Sequence, residues 1–275
     1  MKIPSFDSLA HLHLNNLAES VKSRIPLNFE FFQNLFFTYV TFPLVYILRK
    51  ENMMQMELEI QGIKKQFHKK TPLADVTFSV EKGTCVGILG KNGSGKSTLL
   101  SILAGVQKCD EGKFLWQGEN LFKNRKMLAC KIGYVPQGTP LLEELSAWDN
   151  LLLWYDKAEL KKELQDGVLA MLGIPEFIKV PVCKMSGGMK KRLSIGCSVA
   201  KNPPVLLLDE PSAALDLIAK ENIAAYLREF KNNGGTILLT THDETEFSLC
   251  DKIYILKDGY LKPFNGDIKR LAVEL

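Results

Sequence analysis

From residue 56 onward the apolar positions fall into a regular order. Leu58 and Ile60 alternate with Glu57 and Glu59, and Val76, Phe78 and Val80 repeat the alternation before Glu81-Lys82-Gly83. A period of two predicts strands with one face buried. Three other stretches are apolar without alternation: TCVGILG at 84–90, PVLLLDE at 204–210 and GTILLTTHD at 235–243. Runs of that kind predict strands covered on both faces. The first leads through glycines into a helical pattern carrying Leu99, Leu100, Ile102 and Leu103. KIYILKDGYLKPF at 252–264 reads as a hairpin turning at Asp258-Gly259. Between Gln137 and Val205 strand signals fade and helical ones take over, which predicts an inserted helical subdomain over about 138–204. Buried strands alternating with helices give an α/β fold with a mainly parallel sheet.

One apolar stretch stands apart. FFQNLFFTYVTFPLVYIL, at 31–48, carries no charge and is followed by Arg49-Lys50. Its length is near the lower bound for a membrane span, but Gln33, Asn34, Thr38, Thr41 and Pro43 weaken it. Three readings stay open: membrane or interface contact, docking on a partner, and a poorly ordered or spurious leader outside the working product, since Met53, Met54 and Met56 directly precede the first strand. Residues 1–55 are therefore set apart from a domain at 56–275.

Composition narrows the class. The chain has 275 residues, 46% apolar and 24% charged, which argues for a folded body rather than a disordered tail. The net charge of +4 is spread along the chain and supports no nucleic-acid partner. The basic runs Lys69-Lys70 and Lys190-Lys191-Arg192 read as solvated faces. Six cysteines, none in a C-x-x-C pair and several inside apolar runs, fit reduced, buried thiols.

The chemistry sits at the strand ends. GKNGSGKS at 90–97 satisfies G-x-x-x-x-G-K-[ST] in the strand–loop–helix context that gives it meaning. Backbone N–H groups of Gly90, Lys91, Asn92, Gly93, Ser94 and Gly95 can close around phosphate oxygens. Lys96 adds a cation, and the Ser97 hydroxyl can ligate Mg²⁺. In VLLLDEP, Asp209 ends a buried strand and can hold Mg²⁺ through its water shell, while Glu210 is placed to polarise water as a general base. CKMSGGMKKRLS at 183–194 puts Ser186-Gly187-Gly188 at the start of a basic helix, a second anion site.

These motifs, with YVPQ at 134–137, SAALD at 212–216 and TTHD at 240–243, occur in an order that resembles the nucleotide-binding domain of ATP-binding cassette (ABC) proteins, over about 58–266. The resemblance implies a P-loop NTPase: a mainly parallel sheet core, an N-terminal antiparallel β part and the helical insertion. It implies ATP and Mg²⁺, held by residues 90–98 including Thr98, with Gln137 joining Ser97 and Asp209 on the metal. Catalysis falls to Glu210, His242 and Lys96, and the aromatic Phe67 stacks on adenine. Ser186, Gly187, Gly188 and Asp216 would serve a nucleotide shared with a second ATP-binding subunit, identical or homologous, in a head-to-tail pair. Met185 and Met189 depart from the commonest Leu and Gln of the signature; a Met at the last position resembles exporter-type members. The family also implies polytopic membrane subunits and a peripheral place on the cytoplasmic face of the cell membrane. The leucine- and tryptophan-rich GTPLLEELSAWDNLLLWY at 138–155 is the stretch that would receive them. A soluble ABC ATPase of an assembly pathway, such as iron–sulfur cluster biogenesis, is the alternative.

Overall fold

A computed structural model describes residues 56–264 except 214, 242 and 243. The stretch at 31–48, the rest of the leader, and His242 lie outside the described residues.

The chain opens with two long strands, β1 (Met56–Phe67) and β2 (Lys70–Glu81), paired antiparallel. β3 (Cys85–Leu89) follows, then α1 (Lys96–Leu103). β4 (Glu111–Trp116) returns antiparallel to β1, β5 (Glu119–Asn120) pairs with β4, and α2 (Arg125–Lys131) precedes β6 (Ile132–Val135). Helices then take over: α3 (Ala147–Leu151), α4 (Lys157–Asp166), α5 (Val168–Met171) and α6 (Gly187–Val199). β7 (Val205–Asp209), α7 (Leu217–Asn232), β8 (Thr236–Thr240), α8 (Glu244–Phe247), β9 (Lys252–Lys257) and β10 (Tyr260–Phe264) complete the order.

The strands lie in the order β5-β4-β1-β2-β10-β9-β3-β8-β7-β6. From β9 to β6 all neighbours are parallel. Their registers place the C-terminal ends of β3, β7 and β8 together, where a parallel sheet presents its ligand crevice. The unalternating runs are explained by two cores. Leu206 and Leu208 of β7 and Ile237 and Leu239 of β8 join one apolar cluster, packed with Leu193 and Ile195 of α6 and Ile223 of α7. Val205, Leu207 and Leu238 face the other way, onto α1 and the antiparallel strands. Period two therefore persists in these strands, hidden because both faces are apolar. At the hairpin, Asp258 (φ 53°) and Gly259 (φ 80°) both adopt positive φ, the two-residue turn whose twist suits antiparallel strands. Among the described residues no helix is long and apolar enough to cross a membrane.

Two expectations change. Lys191 and Arg192 are buried, at 4% and 8% exposure, because α6 packs on that face; of the basic run only Lys190 reaches an exposed partner, Glu143, at 3.0 Å. Of the six free cysteines Cys85 is buried, whereas Cys130 and Cys183 are exposed.

Candidate functional site

The loop between β3 and α1 wraps around its own lysine. Lys96 is 5% exposed, and its ammonium donates to the Gly90 carbonyl at 2.7 Å and to the Lys91 carbonyl at 3.2 Å. Burial pushes that ammonium below the ordinary lysine value, while the Glu210 and Asp209 carboxylates pull it back up. Gly90 is required by close approach: a Cβ there would sit 2.5 Å from Ser94 Oγ and 2.6 Å from the Leu256 carbonyl. Ser94 Oγ itself is buried without a hydrogen-bond partner. The loop and the start of α1 form one wall of a cleft of about 890 Å³, which Phe67, Lys70, Gln137, Glu210 and the Asp258–Gly259 turn also line. Phe67 ends β1 and is 40% exposed, and the Lys65 ammonium lies 5.2 Å from its ring centroid.

Behind the cleft one threonine binds both acidic residues, Asp209 through its carboxylate and Glu210 through its backbone. Thr240 Oγ1, at the end of β8, donates to Asp209 Oδ1 at 2.6 Å, and Asp209 is 2% exposed. The Glu210 N–H donates to the Thr240 carbonyl at 3.0 Å and also reaches Thr240 Oγ1 at 3.1 Å. Glu210 has φ 48°, a conformation a non-glycine residue adopts at a cost of about 1–3 kcal/mol and which collects at functional sites. Its carboxylate accepts from Gln137 Nε2 at 3.1 Å. Nearby, burial and then Asp209 push the Tyr134 phenol up to about 12.

The second anion site has a separate geometry. Ser186 caps α6, its Oγ accepting from the Met189 N–H at 3.2 Å. Asp216 caps α7, accepting from the Ala219 N–H at 2.8 Å. The two helix starts touch at Gly188, where a Cβ would meet Ala219 Cβ at 2.8 Å. None of Ser186, Gly187, Gly188 or Asp216 lines the cleft with the phosphate loop. Met185 is 8% exposed and Met189 packs against the same core, which accounts for apolar side chains at both ends of the signature.

The ABC transporter family model matches residues 73–213. The chain belongs to the ABC transporter family. It is 35% identical over 209 residues to the linearmycin resistance ATP-binding protein LnrL of Bacillus subtilis (strain 168), covering 74% of this chain and 67% of that one. It is 34% identical over 207 residues to the Nod factor export ATP-binding protein I of Sinorhizobium fredii, covering 74% of this chain and 60% of that relative's length. Among solved structures, the dimeric post-hydrolysis state of the ATP-binding cassette MJ0796 bound to ADP and Pi superposes with a TM-score of 0.68 at 28% identity, over 76% of this chain and all of that one. The chain is accordingly a nucleotide-binding, ATP-hydrolysing ABC subunit. Its relatives place it with transport proteins rather than with the assembly-factor alternative.

Several residues of this ABC site escaped the motifs. Thr240 binds both acidic residues, a role that its place at the head of the TTHD motif does not reveal. Lys70, at the start of β2, and the Asp258–Gly259 turn, far from the phosphate loop in sequence, also line the cleft. Lys191 was hidden in a basic run; its signal was the helix period, which puts it on the face of α6 that includes Gly188, Ile195 and Ser198.

Proposed function

We propose that this ABC subunit binds MgATP between two copies, or between itself and a homologous subunit, and that closure and release of the pair drive a polytopic membrane subunit on the cytoplasmic face of the membrane. What carries the reading is the separation of two anion sites within one chain: residues 91–98 line the cleft and residues 186–188 do not. A head-to-tail pair sets each phosphate loop against the other chain's α6. The same pairing would cover Leu217 and Ile218, which are 84% and 74% exposed beside that helix start.

The donor set suits its ligands. An unpartnered buried hydroxyl at Ser94 and a loop that excludes a Cβ at Gly90 fit a phosphate cradle. Mg²⁺ binds through one or two carboxylates with phosphates and water, and Asp209, Ser97 and Gln137 would hold it. When bound it supplies charge neutralisation at the phosphate oxygens. Lys96 stabilises phosphate charge, Glu210 orients and deprotonates water, and Gln137 fixes the Glu210 carboxylate. Phe67 stacks on the base and His242 contacts the γ-phosphate. Moving a two-state pair from mostly open to mostly closed takes about 5.5 kcal/mol of differential binding. Three charge-assisted hydrogen bonds at residues 186–188, about 1.5–3 kcal/mol each, total about 4.5–9 kcal/mol, the same order as that requirement.

The exposed side chains Leu142, Leu153 and Trp154 form the surface offered to the membrane subunit. Export is the direction the relatives favour. Glu210→Gln should slow phosphate release by about 10²- to 10⁴-fold while ATP binding is kept, giving an ATP-dependent dimer by light scattering. Thiols placed at 94 and 187 should crosslink between chains under the same conditions. A hydrolysing Glu210→Gln variant, or no crosslink with any magnesium-nucleotide mixture, would refute the scheme. Purification from native membranes should bring a polytopic subunit with the chain.

A further inference from the structure

Buried lysines usually face a carboxylate. Lys191 does not: among the described residues its ammonium, on α6, donates to two backbone carbonyls, of Pro136 at 2.8 Å and Gln137 at 2.9 Å. The residue is 4% exposed, and burial lowers its pKa against the opposing pull of Asp209, Glu210 and Glu246. Two turns further along the same face, Ser198 Oγ donates to the Tyr134 carbonyl at 2.9 Å. Side chains from α6 thus lace that helix onto β6 and the loop that leaves it. The spans match: about 10 Å along the helix between Lys191 and Ser198 against about 7–10 Å along the extended chain from Tyr134 to Gln137.

The Lys191 end of this lacing lies between two functional parts. Toward the N-terminus, little more than one turn away, is the Ser186 cap. On the other side Gln137, whose carbonyl Lys191 grips, donates its side chain to Glu210 Oε2 at 3.1 Å. We propose that Lys191 is a positioning residue that joins α6 to Gln137, so that a phosphate docking on residues 186–188 sets the Glu210 carboxylate of the same chain. In a head-to-tail pair the docking phosphate belongs to the other nucleotide, so Lys191 makes each site sense the occupancy of its neighbour. This rests on the cross-chain reading above.

A double-mutant cycle in the full chain tests it. Lys191→Met keeps length and removes the donors. Its kcat for MgATP should fall about tenfold with KM changed less than about threefold, because the cleft is untouched and only the placement of Glu210 is lost. Gln137→Ala, which also removes a cleft-lining side chain and a proposed metal ligand, should lower kcat by at least as much with KM free to rise. Lys191→Met should then lower kcat by less than about a further twofold in the Gln137→Ala background, since residues acting as one unit are non-additive. Lys191→Gln, which keeps N–H donors on a shorter stem, should recover kcat to within about threefold of the parent and guards against a folding defect in the Met variant. Multiplicative losses in the double variant, a parental kcat for Lys191→Met, or a Gln variant no faster than the Met variant would each overturn the proposal. ATP-dependent pairing of Glu210→Gln is measured alongside. Its absence refutes the cross-chain reading itself, whereas its presence with a parental Lys191→Met refutes only the role of Lys191.

Discussion

Replacing Thr240 by valine isolates the hydroxyl that binds the Asp209 carboxylate and the Glu210 N–H. The two side chains have nearly the same volume, so no cavity opens, and only the hydroxyl disappears. The Glu210 N–H keeps its 3.0 Å bond to the Thr240 carbonyl and is not orphaned. What is lost is the 2.6 Å bond to Asp209, a carboxylate 2% exposed. A hydrogen bond to a charged group contributes about 1.5–3 kcal/mol. At about 2 kcal/mol, and about 2–4 °C per kcal/mol for a domain of this size, Tm should fall by about 4–8 °C. An Asp209 free to turn away from the phosphates should cost at least tenfold in kcat, or about 1.4 kcal/mol. Thr240→Ser keeps the hydroxyl and sheds a methyl, about 0.8 kcal/mol, so it should melt about 2–3 °C below the parent yet turn over at nearly the parent rate. Thermal unfolding by circular dichroism and steady-state phosphate release, on all three proteins, give the comparison. A valine variant at the parent kcat, or a serine variant as slow as the valine one, refutes the claim that this hydroxyl orders the acidic pair.

Other expectations are simpler. Gly90→Ala should weaken binding of a fluorescent ATP analogue by at least about tenfold, because the added carbon meets Ser94 Oγ at 2.5 Å and backbone at 2.6 Å; strain of about 1–3 kcal/mol is the usual cost of overpacking. Phe67→Ala should raise KM for ATP by about 5- to 100-fold, since stacking of a base on an aromatic ring contributes about 1–3 kcal/mol. Leu217→Asp with Ile218→Asp should weaken ATP-dependent pairing of the Glu210→Gln protein at least about tenfold in light scattering. Its monomer should melt within about 2 °C of the parent, because both side chains are exposed.

Local patterns carried much of the architecture. The phosphate loop, the Asp209-Glu210 pair and the hairpin turn each occupy a few consecutive residues, and spacing alone reveals them. The alternation of β2 is legible because one face meets solvent, whereas the apolar runs of β7 and β8 report burial without telling which neighbour lies on which side. Lys191 shows where reading along the chain fails. A basic triplet looks solvated until a helix is laid on a strand, and only then does one of its ammonium groups meet two carbonyls instead of water. Thr240 fails for the same reason, since its partners come from the adjacent strand, some thirty residues earlier in the chain. Asp216 carries a family resemblance in sequence and acts in the fold as a helix cap.

The strand order has a consequence for biogenesis. β3, which launches the phosphate loop, pairs only with β8 and β9, and both are made long after it. At a synthesis rate of about 5–20 residues per second, β3 waits roughly 7–30 s for its first neighbour to be translated. During that interval five residues destined for complete burial have no sheet to join. A ribosome-bound fragment ending before β8 should therefore recruit chaperones that bind apolar extended chain, and lose them once β9 has emerged.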